Sequence, residues 1–221
     1  MASGTMCATC FVGCGAGLTG ISAGGFSQDS QANLVAGDGA GAAIDSDTCF
    51  NILIGCNAGK SLNEGDHNIF LGCYAGESAT SAACNIFLGT KAGCSLTSGC
   101  QNIFLGKDSN RCRTSGNNNI SFGHFSAMRA ESGSYNVSIG LGARLSATGG
   151  SDSVAIGRYA QRYVTGNCNV AIGMCAGGRC AYSSIGAIFI GERAGECWDG
   201  NGSPIAIGTV SYTHLTLPTK A

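Results

Sequence analysis

Asn51-Ile52-Leu53-Ile54-Gly55 is followed seventeen residues later by Asn68-Ile69-Phe70-Leu71-Gly72, and the same phrase begins again at Asn85, Asn102, Asn119 and Asn136. Ser153 takes the Asn place one period further on. Asn169–Gly173 then arrives one residue early, Ala187–Gly191 one residue late, and Pro204–Gly208 resumes the period. Upstream, Asn33–Gly37 is a further copy, eighteen residues before the first. Self-similarity at so short a period is the mark of a solenoid, in which each unit is one coil and buries its apolar side only against its neighbours.

The phrase carries a tail. After two intervening residues beyond the strand Gly, Ala-Gly follows at Ala58-Gly59, Ala75-Gly76, Ala92-Gly93, Ala176-Gly177 and Ala194-Gly195, and Gly13–Gly17 matches the same tail. A degenerate first coil is therefore expected near Cys10, with residues 1–32 capping a solenoid over 33–209. The glycines in phase, Gly55, Gly72, Gly89, Gly106, Gly123, Gly140, Gly157, Gly173 and Gly191, mark corners where the backbone needs positive φ or has no room for Cβ. A second set, among them Gly65, Gly99, Gly116, Gly133, Gly150 and Gly166, precedes the Asn place.

Between corners, apolar residues alternate with period two, as in Ile69 and Leu71, Ile86 and Leu88, Val154 and Ile156, which predicts strands with those pairs turned to the interior. The expected architecture is an all-β solenoid, a flattened β-roll of about twelve coils with two short strands per coil, its columns spaced by about 4.8 Å. On that assignment the middle residues, Leu53, Phe70, Phe87 and Phe104, then Ser121, Ser138, Ala155, Ala171, Phe189 and Ala206, point outward. Phe70, Phe87 and Phe104 would then form an exposed stripe and a candidate subunit interface. The opposite assignment, with inside and outside exchanged, stays open because short apolar runs do not fix a face.

The Asn column, Asn51, Asn68, Asn85, Asn102, Asn119, Asn136 and Asn169, is expected to be structural: identical amides stacked in register donate to and accept from one another. Thr and Ser before the corner glycines, as in Thr97-Ser98-Gly99, read as turn residues.

Only 11% of the 221 residues are charged, with 37 Gly, 2 Pro and a net charge of -1, which argues against disorder and against a nucleic-acid binder. Charge is uneven. Through Thr90 there are seven acids and one base, whereas Lys91 to Ala160 holds seven bases and three acids, a stretch that could meet an anionic glycan or be a solvated face. No signal-peptide pattern follows Met1 and no apolar run approaches membrane-spanning length.

Fourteen Cys is a high count. Cys56 and Cys73 share a column, so their Cα atoms are expected about 4.8 Å apart, inside disulfide range, although buried thiols are an equal reading. Cys49, Cys84, Cys100 and Cys168 cluster just before the Asn place. Cys7, Cys10 and Cys14 lack an evident fourth ligand for zinc, and neither a metal nor a cofactor is expected. His67 and His124 sit at unrelated corners, no nucleophile triad or phosphate loop appears, and no enzymatic activity is expected.

From Val210 the chain breaks the repeat and reads Val-Ser-Tyr-Thr-His-Leu-Thr-Leu-Pro-Thr-Lys, which resembles the in-frame translation of a transposase-based sequencing adapter. Residues 210–221 are accordingly set aside from the fold.

Over residues 10 to 209 the repeat resembles the Asn-rich Gly-x-x-Ala-Gly repeats of tail-fibre-like proteins in viruses of marine cyanobacteria. It is also similar to the Ser-Val-Ala-Ile-Gly head repeats of trimeric autotransporter adhesins, most closely at Ser153–Gly157 and Asn169–Gly173. The adhesin resemblance implies a left-handed, trimeric roll. The chain departs from it in period, in its Cys and in the absence of a visible secretion signal, which favours the viral fibre. What the resemblances imply is a homotrimeric attachment protein at a virion tail or cell surface, with a host glycan or receptor as partner, no nucleic acid and no membrane insertion. The alternative is a monomeric solenoid that binds a repetitive surface such as ice, polysaccharide or mineral. Ice binding would favour a flat face with two parallel Thr columns, and only one partial column is present, at Thr80, Thr97, Thr114 and Thr148, beside a turn.

Overall fold

The computed structural model describes residues 27–178, 183–196, 198 and 202–209. It is an all-β solenoid of about ten turns. Strands β2 (Leu34–Ala36), β3 (Ile52–Ile54), β4 (Ile69–Leu71), β6 (Ile86–Leu88), β8 (Ile103–Leu105), β9 (Ile120–Phe122), β10 (Val137–Ile139), β11 (Val154–Ile156), β12 (Val170–Ile172), β13 (Ile188–Ile190) and β14 (Ile205–Ile207) stack in that order as one sheet. All of these pair in parallel and in register, Ile52 on Ile69 on Ile86 on Ile103. A short strand β1 (Ser27–Gln28) lies antiparallel on β2. The first coil expected near Cys10, and the tail from Val210, lie outside the described residues.

Two strands per coil were expected; one is found. Among the described residues the second side of nearly every coil is made of turns, and only β5 (Ser81–Ala83) and β7 (Ser98–Cys100) pair there. The reason is in the backbone. After the strand Gly, left-handed residues recur in phase, as Asn57 (φ 54°) and Gly59 (φ 55°) in one coil and Tyr74 (φ 61°) and Gly76 (φ 57°) in the next. These close i to i+3 turns, Ala58 N–H on the Gly55 carbonyl and Leu62 N–H on that of Gly59, while alternate amides still bond to neighbouring coils. The strand glycine itself admits no side chain: a Cβ on Gly72 (φ 138°) would stand 2.6 Å from the carbonyl carbon and oxygen of Gly89.

The assignment of faces is reversed from the first expectation. Leu53, Phe70, Phe87, Phe104, Ala155, Ala171 and Phe189 are fully buried, and Ser121 and Ser138 nearly so. The Ile and Leu residues flanking them are only partly buried, and Ile156, Ile172, Ile190, Ile205 and Ile207 are exposed. The middle residue therefore points into the roll, and Phe70, Phe87 and Phe104 are core rather than an exposed stripe. Their rings stack almost parallel at the coil rise, with centroids 4.6 and 4.7 Å apart.

Size complementarity across the roll explains this placement. Six positions after Leu53, Phe70 and Phe87 sits Gly: a Cβ on Gly76 would meet the Phe70 ring at 2.6 Å, one on Gly93 the Phe87 ring at 2.7 Å, and one on Gly59 a Leu53 methyl at 2.8 Å. Ser138 and Ala155, which are small, are matched at the same offset by Arg144 and Gln161; Phe104 with Asn110 and Ala171 with Gly177 depart from this pairing. Two apolar clusters result, one spanning Leu53 to Phe104 and one spanning Ala143 to Ala206. The coils between them are filled by polar side chains, including the fully buried Ser109, Asn110 and Ser126 and the nearly buried Arg113.

Candidate functional site

The Asn column lines one corner of the roll and is fully or nearly buried. Each Nδ2 donates to the Oδ1 of the preceding coil's Asn: Asn68 to Asn51 at 3.0 Å, Asn85 to Asn68 at 3.1 Å, Asn102 to Asn85 at 3.0 Å, Asn119 to Asn102 at 2.9 Å and Asn136 to Asn119 at 3.1 Å. The same Oδ1 accepts the backbone N–H of the next Asn, as Asn85 N–H on Asn68 Oδ1 at 3.0 Å. The second Nδ2 hydrogen goes to a carbonyl of the following corner, Gly99 for Asn85 and Gly116 for Asn102. Amide hydrogen-bonding capacity is thus spent on the scaffold. Ser153 continues the column with its hydroxyl, accepting the Asn169 N–H at 3.2 Å. At the lower end, Asp29 closes the ladder by accepting from Asn33 Nδ2 at 3.0 Å and Asn33 N–H at 2.8 Å.

Two arginines enter the interior where the apolar clusters separate. Arg113 Nε donates to Asn110 Oδ1 at 2.8 Å and Nη1 to the Gly133 carbonyl at 2.7 Å; Arg144 donates to Gln161 Oε1 at 3.0 Å and to the Gly149 carbonyl at 3.1 Å. Burial pulls both guanidiniums well below their ordinary range, and Arg144 adds its positive charge against Arg113. These two side chains belong to the frame, so the basic stretch noted in the sequence is smaller at the surface than its count.

Cys56 and Cys73 stand on adjacent coils, joined by the Tyr74 N–H on the Cys56 carbonyl at 2.8 Å. Both are free thiols, as are Cys49, Cys84, Cys94, Cys100, Cys112, Cys168 and Cys175. Burial pushes the Cys56 thiol up, and a hydrogen bond with Cys73 adds to it. Burial likewise raises Cys94 to about 11, helped by its bond to Glu77 Oε2. Cys49, Cys84, Cys100 and Cys168 line the corner before the Asn ladder without forming one column, since Cys49 and Cys100 precede the Asn by two residues and Cys84 and Cys168 by one. Among the described residues no three metal-ligating side chains converge; Cys7, Cys10 and Cys14 lie outside them. His67 stacks on Phe50 (5.1 Å) and His124 on Phe125 (3.7 Å), far apart along the roll.

The column of Thr80, Thr97 and Thr114 lies at the surface, with each hydroxyl donating along the axis to the next coil's carbonyl, at 3.1, 3.0 and 3.1 Å. Two surfaces remain uncommitted. One is the outer face of the long sheet, where eleven strands each present two apolar side chains, from Leu34 and Ala36 to Ile205 and Ile207, with no charged residue among them. At about 4.8 Å per coil this strip is about 48 Å long and on the order of 500 Å² in area. The other is the opposite side of the roll, where the turns carry most of the exposed charges. What the sequence left ambiguous was which apolar column faced out; the Gly six positions after Leu53, Phe70, Phe87 and Phe189, though not after Phe104, was the signal that could have decided it.

Among the described residues no helix is long and apolar enough to cross a membrane. Comparison with protein-family models, with curated proteins and with solved structures found no match to this chain.

Proposed function

We propose that this chain is a segment of a homotrimeric attachment fibre, as found on virion tails and cell surfaces, in which three parallel rolls bury their sheet faces against one another. The observation that carries this reading is the uninterrupted apolar strip on the outer sheet face. It is as large as the largest patches that monomers tolerate, and so regular a strip is the signature of a partner with the same repeat. Because every coil has the same rise, a second and third copy in parallel keep every side chain in the same relation from end to end. The interface is therefore assigned to the flanking columns, such as Ile86 and Leu88 or Val154 and Ile156, and no longer to the internal Phe residues. A rigid rod of this kind, with its amides and hydroxyls tied up in its frame, suits display and adhesion rather than catalysis.

The test is molar mass in solution by light scattering, with and without reductant. A trimer that persists in reductant and falls to monomer in a Leu88→Lys, Ile156→Lys double variant is expected. A wild-type monomer would overturn the fibre reading and leave the surface-binding solenoid in its place.

A further inference from the structure

The turn side of the roll carries a second feature that the sheet face does not share. Between the coil of Gly89 and the coil of Gly157 its partly or fully exposed residues include Lys91, Lys107, Arg111, Arg129, Arg158 and Arg162. Three carboxylates, Asp108, Glu131 and Asp152, lie in the same span; Asp108 is nearly buried and held by Arg111 at 3.6 Å, and Glu131 and Asp152 are exposed. Main-chain bonds fix the stacking. Phe125 N–H bonds to the Lys107 carbonyl, Tyr159 N–H to Leu141, Arg129 N–H to Leu145 and Ser146 N–H to Arg162, so the turns stack along the axis. Lys91 lies on the first, Lys107 and Arg111 on the second, Arg129 on the third and Arg158 and Arg162 on the fifth, while the fourth carries only the buried Arg144. The patch spans four coil steps, about 19 Å at about 4.8 Å each. Acidic residues border it at both ends, Glu77 below and Glu192 above.

We propose that this face binds an acidic polysaccharide of the polyuronate type, with its chain lying along the solenoid axis. Four of the six cations are arginine, whose planar fork matches a carboxylate through two parallel hydrogen bonds. A polyuronate carries one carboxylate per sugar, at a spacing close to the coil rise, so its groups can meet the cations of the first three turns and of the fifth, passing over the fourth, which presents none. Arg162 is held in place on this face by two rings, its guanidinium 4.9 Å from both the Tyr159 and Tyr163 ring centroids. A nucleic acid suits the face less well. Single strands need free aromatic faces for stacking, and here Tyr74 is covered by Lys91, Phe125 by His124, and Tyr159 and Tyr163 by Arg162. The biological role rests on the attachment reading above, whereas the binding itself depends only on this face.

The experiment is binding of the full chain to polygalacturonate, to neutral dextran and to duplex DNA, each at several salt concentrations. Salt-sensitive binding to polygalacturonate alone is expected, weakened about tenfold in an Arg111→Gln, Arg129→Gln, Arg158→Gln variant that melts like the wild type. A Lys60→Gln variant, outside the patch, should bind unchanged. No binding, equal binding to dextran or DNA, or a triple variant that binds as the wild type does would each overturn the proposal. Molar mass measured on the same samples separates the two readings: a monomer that binds refutes the trimer alone, and a trimer that does not bind refutes this face alone.

Discussion

The buried amide of Asn85 shows how much one side chain carries in this molecule. It accepts two hydrogen bonds from Asn102, donates to Asn68 and to the Gly99 carbonyl, and contacts no solvent. Replacing it by Ala orphans several buried partners at once, and a loss of about 3 kcal/mol or more is expected in urea unfolding. Asn85→Ser should lose less, because Ser153 already occupies the same column and still bonds to its neighbours. The foot of the ladder adds a pH dependence. Burial works against ionisation of Asp29, yet hydrogen bonds from Asn33 and Gln31 outweigh it and hold the carboxyl below its ordinary value of 3.8. A depressed acid stabilises the fold above its unfolded pKa, and that contribution disappears as pH falls through the folded value. The thermal midpoint should therefore decline below about pH 4 partly through this group, and Asp29→Ala should remove that part of the decline.

At the scale of one coil, the sequence made the strand, its corners and its amide column legible, because Gly and Asn are needed there for backbone reasons that hold in any context. It left the direction of Phe70, Phe87 and Phe104 open, because in those coils all three strand residues are apolar and the alternation has no polar phase. The absence of a second strand was likewise hidden, since left-handed φ at Tyr74, Lys91 or Phe125 is unusual for such residues and is imposed by coil stacking rather than by propensity. Arg113 looked like a surface charge for the same reason: only its place in the column of Leu62 and Leu96 reveals that it points inward. A neighbouring column offers a covalent test of register. Oxidised glutathione can take the two hydrogens of Cys56 and Cys73 and leave a disulfide between adjacent coils, because aligned Cα atoms about 4.8 Å apart lie inside the permitted range. Loss of two thiols by mass, abolished in Cys73→Ser, is the expected result. A cross-link over a loop of this length should raise stability by about 3 kcal/mol.

For the whole molecule, parallel in-register stacking means that coils are interchangeable as units. Deleting residues 86–102 joins Asn85 to Ile103 and restores the phrase without altering any column, and Phe70 then lies directly beneath Phe104. The shortened chain is expected to fold, with circular dichroism of the same shape and a length reduced by about 4.8 Å. Deleting only 86–93 cuts the coil at mid-turn, throws every later column onto the wrong side, and should yield an aggregated or unfolded product. The chain accepts small errors of phase, since the sixteen-residue step to Asn169 and the eighteen-residue step to Ala187 are both taken up at corners while the strands stay paired. The coil is thus a gauge mark. A gene built on this unit can lengthen or shorten its product by whole coils through copying slippage, setting the length of the rod while leaving the cross-section and its two faces untouched.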